Sequence, residues 1–148
     1  MSTTKKSGSD GFSEAERAAM KERAQELKAQ GRSGQKKADN ERAVLDAIAE
    51  MPDDDRALAE RIHALVTANA PELLSKTWYG MPAYANADGK VVCFFKAASK
   101  FDGRYATLGF EDAATLDEDP MWPVVFAIVK WTPAVEKKVG ALMKAAVA

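Results

Sequence analysis

The side chains able to do chemistry are few and far apart. The chain has one histidine, His63, and one cysteine, Cys93. A single member of each excludes the usual Cys/His zinc sites and any disulfide within the chain. His63 has Glu60 about one helical turn away but no second histidine, so it reads as a surface or boundary residue rather than a ligand or general base. Cys93 stands inside the apolar run Val91–Phe95, the setting of a buried inert thiol rather than a nucleophile. No Ser-His-Asp set is spelled out, and the G-x-S-x-G elbow is absent. The stretch GRSGQKK at Gly31–Lys37 lacks both the Gly-Lys-Ser/Thr ending and the preceding strand of a phosphate loop. It reads as a basic linker. Nothing nominates an enzyme.

Carboxylates occur in two groups. Asp53, Asp54 and Asp55 follow Pro52 at a helix start, where they would cap free amides and complement the positive end of the dipole. Three adjacent residues there point in different directions, which disfavours a cation site. The second group is Glu111, Asp112, Asp117, Glu118 and Asp119, five carboxylates within nine residues. An acidic run of this kind is ordinarily solvated surface.

Aromatic residues supply the other candidate. Trp78, Tyr79 and Tyr84 bracket the Gly80-Met81-Pro82 break, with Phe94 and Phe101 further on. Gly80 opens backbone conformations closed to other residues, and Pro82 fixes the chain and removes a donor. Together they suit a bulge or strand break. One reading is a pocket floored by Trp78, Met81 and Tyr84, with Tyr79 beside it and Phe94 or Phe101 as walls. The other is that these rings simply hold the sheet to its helices, as aromatics do in ordinary cores.

The frame that must position these groups is one domain's worth of chain. The 148 residues are 47% hydrophobic and 29% charged, ordinary globular usage with enough chain for one core. A net charge of -1 argues against a dedicated nucleic-acid protein. No apolar run approaches a membrane span or a secretory leader, so the chain is expected in the cytoplasm. Met1–Gly11 has almost nothing apolar to bury and is expected to be disordered. Residues 1–37 form this tail, an accessory helix and the linker, and residues 38–148 form the domain. Ser13 with Glu16 is a capping box for the accessory helix, whose apolar side is mostly alanine.

Val44, Ile48 and Met51 mark a helix from about Ala38 to Glu50, and Leu58, Ile62, Leu65 and Val66 mark a second one ending before Pro71. Strands are predicted at Thr77–Tyr79, Ala83–Ala85, Val91–Phe95, Arg104–Phe110 and Val124–Trp131, with a hairpin turn at Asn86–Lys90. Thr132-Pro133 opens a closing helix carrying Val135, Val139, Leu142 and Met143. Short connections imply antiparallel neighbours. The expected class is α+β: about five antiparallel strands with N-terminal helices and a C-terminal helix packed on them.

The run Lys76–Tyr84, the strand Val91–Phe95 after its Gly turn, and Tyr105–Phe110 resemble the YdhG-like domain family, a family of unknown function. The likeness covers about Asp53–Val147. It implies a curved antiparallel sheet with flanking helices. Some members are described as frataxin-like iron chaperones, which makes iron the implied cofactor. Iron would need clustered oxygen ligands with exchangeable positions, for which Glu111, Asp112, Asp117, Glu118 and Asp119 are the candidate set. One stretch departs from the pattern. Asp119–Trp131 reads DPMWPVVFAIVKW, far more apolar than the basic, polar segment of many relatives. The expected function is a small binding or carrier domain acting on a small ligand or a protein partner, and not on nucleic acid or membrane. The alternative is an interaction or adaptor domain with no metal or catalytic role.

Overall fold

The structure is a computed structural model, which describes residues 11–30 and 37–148. The expected disordered tail and basic linker therefore lie almost entirely outside the described residues. Helix α1 (Glu14–Gln30) opens on the capping box: Ser13 N–H donates to Glu16 Oε1 at 2.8 Å and Glu16 N–H donates to Ser13 Oγ at 3.1 Å. Helices α2 (Lys37–Ala49) and α3 (Asp53–Asn69) follow. The strands are β1 (Leu74–Trp78), β2 (Met81–Ala85), β3 (Val91–Lys96), β4 (Ala106–Phe110) and β5 (Val125–Ile128). A single 3-10 turn, Ala98–Phe101, leaves β3. Helix α4 (Pro133–Ala146) closes the chain, with Thr132 Oγ1 accepting from Val135 N–H at 3.2 Å. No described helix is long and apolar enough to cross a membrane.

The five strands form one open antiparallel sheet in the order β1-β2-β3-β4-β5. The α+β expectation therefore holds, strand count included. Val44 and Ile48 of α2, Leu58, Ile62 and Val66 of α3, and Val139 and Met143 of α4 share one core with Tyr84, Cys93, Phe95, Leu108, Phe110 and Ile128. Cys93 and Phe95, and Leu108 and Phe110, alternate along their strands, while Val92 breaks the alternation opposite the register shift between Tyr84 and Ala85; β2 and β4, inside the sheet, are buried on both faces.

Two expectations are sharpened by the structure. Of the bulge or strand break expected at Gly80–Pro82, the break is what forms. Tyr79 and Gly80 form a two-residue hairpin turn with φ values of 54° and 78°, so Trp78 pairs with Met81 and Thr77 with Pro82. Both positive values fit the turn that matches strand twist. Pro82 is tolerated inside β2 because Thr77↔Pro82 is the wide, non-bonded pair next to the turn, and the ladder to β3 begins only at Ala83. The aspartate triplet also acts differently. Pro52 is the N-cap of α3 and no side chain caps it. Asp53 instead pairs with Arg56 at 2.8 Å. Asp55 turns inward, 6% exposed, and caps the 3-10 turn. Its carboxylate accepts from Ala98 N–H (3.1 Å), Ser99 N–H (3.2 Å) and Ser99 Oγ–H (2.6 Å).

Candidate functional site

The hairpin register decides where the aromatic residues go. Trp78 and Met81 are opposite each other, and Ala83 opposite Phe94, so Trp78, Met81 and Phe94 share one face of the sheet. Tyr84 is an odd number of residues from Met81 and points to the other face, into the core. The pocket reading of Trp78, Met81 and Tyr84 is therefore divided by the sheet, and of these three side chains only Tyr84 joins the main core. Tyr84 is 1% exposed, and its hydroxyl lies 2.9 Å from His63 Nδ1. Burial, with Cys93 and Glu41 adding to it, pushes the Tyr84 phenol well above its ordinary range. Cys93 is fully buried, donates to the Met143 sulfur at 3.9 Å and is pushed up to about 12 by burial. Neither group is placed to meet a ligand.

His63 completes this inner constellation. Burial lowers its pKa, opposed by Glu41, whose Oε2 lies 3.8 Å from Nε2. The unfolded chain thus holds a proton on this imidazole at pH values where the folded chain does not. Its contribution to stability is complete above the ordinary value of 6.5 and is lost as the pH falls below it. Melting temperatures taken at neutral pH and in mild acid are expected to fall more for the wild type than for His63→Gln. Parallel falls would show that His63 carries none of the acid sensitivity.

The other face holds the remaining five candidates. Trp78 contacts Tyr79 edge-on at 5.2 Å between centroids and Phe94 at 5.4 Å. Phe94 in turn lies over Gly109, where a Cβ would overlap its ring. Phe101, at the end of the 3-10 turn, has Lys96 and Lys100 over its ring, each 5.8 Å from the centroid. Helix α1 reaches this face at the hairpin. Glu26 accepts from the Tyr79 and Gly80 amides, both at 3.0 Å, and Arg23 pairs with Glu26 at 3.3 Å while lying over the Tyr79 ring. A cavity of about 380 Å³ opens here, lined by Phe12, Ala19, Met20, Tyr79, Met81 and Phe101, with Glu16 and Lys96 also on its wall. Lys100 is engaged by Glu22 at 2.9 Å, whereas Lys96 makes no ion pair among the described residues. Sequence reasoning found the rings but missed Arg23 and Glu26, because α1 is far from the hairpin in the chain, and Lys96, which as the last residue of β3 gives no signal of its own.

The acidic candidates are not brought together. Glu111, Asp112, Asp117, Glu118 and Asp119 are all exposed, and no three His, Cys, Asp or Glu side chains among the described residues are grouped to hold a metal ion. Ala114 and Leu116 are the inward residues of this segment, and Thr115 bonds the last carbonyls of α4. With its apolar residues facing in, the segment turns its carboxylates outward on either side of that anchor. No family model matches this chain, and neither the curated proteins nor the solved structures include one similar to it.

Proposed function

We propose that this domain is a binding module for a small apolar anion, taken into the cavity between the start of α1, the Tyr79–Met81 hairpin and Phe101. The reading is carried by one observation: a largely apolar cavity of about 380 Å³ on whose wall Lys96 makes no ion pair among the described residues, with Glu16 at the start of α1 as its one carboxylate there. That volume lies at the small end of ordinary ligand pockets. Aromatic faces and the Met20 and Met81 side chains suit a flat or flexible apolar body. Lys96, held over the Phe101 ring, suits a carboxylate, sulfonate or phosphate at its end. Among the described residues the wall carries rings, methionines and one cation, which suits recognition.

The probe for the test is 1-anilinonaphthalene-8-sulfonate, an apolar ring system with one anionic group. Its fluorescence is expected to rise and saturate with the folded wild type. Lys96→Gln and Phe101→Ala should each weaken binding by about tenfold, the loss of roughly one charged or ring contact, with unchanged circular dichroism. Equal binding by the wild type and both variants would place the probe elsewhere and overturn the reading.

A further inference from the structure

The outer edge of β5 carries an inference independent of the cavity. The sheet has two edges. The β1 edge is flanked by α2 and, at the hairpin, by α1. The β5 edge has β4 on one side and, among the described residues, no strand on the other. Phe110 N–H donates to Val124 O at 2.8 Å, which makes 110 and 124 a bonded pair and sets the alternation. Val124, Phe126 and Ile128 therefore turn their backbone groups to β4, Val125 and Ala127 turn theirs outward, and Val129 stands in the bend that follows the strand. The same outward stretch is apolar and open: Val125 is 61% exposed and Val129 80%. An apolar edge with free backbone groups is a ready template for another strand, and natural proteins blunt such edges by shortness, charge, proline or a bulge. Here Pro123 and Lys130 flank the strand but leave Val124–Val129 undefended.

We infer that β5 is a self-association edge, and that a second copy of this chain pairs with it antiparallel about a two-fold axis at Ala127. The register follows from the outward groups. Ala127 faces Ala127 of the second copy, so its outward N–H and C=O find partners at the axis, and Val125 comes opposite Val129 of the second copy, which continues the strand on pairing. The small central residue leaves the strands free to approach. Charge complements the same arrangement. Asp117, Glu118 and Asp119 precede β5, while Lys130, Lys137 and Lys138 follow it with one carboxylate, Glu136, among them. Antiparallel pairing brings the acidic approach of each copy to the basic exit of the other, and an isologous interface uses that match twice. The product is one continuous sheet of twice five strands.

Sedimentation of the full chain over a range of concentrations tests this. The mass is expected to rise with concentration from 16.0 kDa to twice that value. Ala127→Pro removes an outward N–H that β4 does not use, and Val125→Lys places a charge on the edge. Each should hold the chain at 16.0 kDa at every concentration, with unchanged circular dichroism. If the proline variant does not fold, the lysine variant decides. A wild type that stays at 16.0 kDa throughout overturns the inference, as does a folded variant that associates like the wild type.

Discussion

Replacing Asp55 by alanine is expected to lower the unfolding free energy by about 3 kcal/mol, well beyond what loss of an exposed charge costs. The carboxylate is 6% exposed and receives three hydrogen bonds from the 3-10 turn, two of them from backbone amides. Without it, Ala98 and Ser99 keep their amides in a partly buried place with no acceptor, and an unmet donor costs more than a met one contributes. The turn also carries Phe101 and Lys100, so its loosening should reach the cavity wall. Asp55→Asn keeps one acceptor oxygen and should lose roughly half as much. Asp53→Asn is the contrast, because its exposed pair with Arg56 is worth about 0.5 kcal/mol or less. Denaturant midpoints for the three variants check this. Equal midpoints for Asp55→Ala and Asp53→Asn would show that the inward carboxylate does not hold the turn.

Tyr84→Ala is expected to cost about 3–5 kcal/mol, the range for deleting a buried aromatic side chain and leaving a cavity. Its ring sits among the α2, α3 and β3 residues of the core, and its loss also strips His63 Nδ1 of its hydroxyl partner. Tyr84→Phe removes only that contact and should cost about 1 kcal/mol. Trp78→Ala is expected to cost less, about 1–2 kcal/mol, because the indole is half-buried on the face away from that core. The ordering matters more than either figure. Chemical denaturation at matched pH would refute the division of the sheet into two faces if Trp78→Ala proved as damaging as Tyr84→Ala.

The helices were legible because their information is local. Val44 and Ile48, or Leu58, Ile62 and Val66, repeat at helical spacing, and all are buried. The caps at Ser13 and Thr132 were legible for the same reason. The sheet was readable in number and direction but not in register at the hairpin. A tyrosine with positive φ is rare, so Tyr79-Gly80 did not read as a turn. What holds it is Glu26, separated from Tyr79 by 53 positions, and no window of sequence contains both. Moving that turn by one residue moves every following side chain to the opposite face. That shift sent Tyr84 to the core while Trp78, Met81 and Phe94 stayed outside it. Strand β1 begins at Leu74, earlier than the aromatic signal, because Ser75 and Lys76 are not residues that announce a strand. The acidic run shows the opposite failure. Crowding in sequence suggested a cluster, but in folded form its anchor is Ala114 and Leu116, and the carboxylates face away from them.

The Phe94 ring occupying the place of a side chain at Gly109 orders the routes by which this sheet can change over generations. A residue with a Cβ at 109 meets the ring at once, so that step taken first is a loss. The same step taken after Phe94 has become small fills the space the ring vacated. The two sites are therefore coupled, each deciding the sign of the other's effect. A lineage holding both the ring and the glycine is kept there by the order of steps as much as by the stability of the pair. Descent away from it passes first through a smaller residue at 94, and so through a change in the wall on which Trp78 rests.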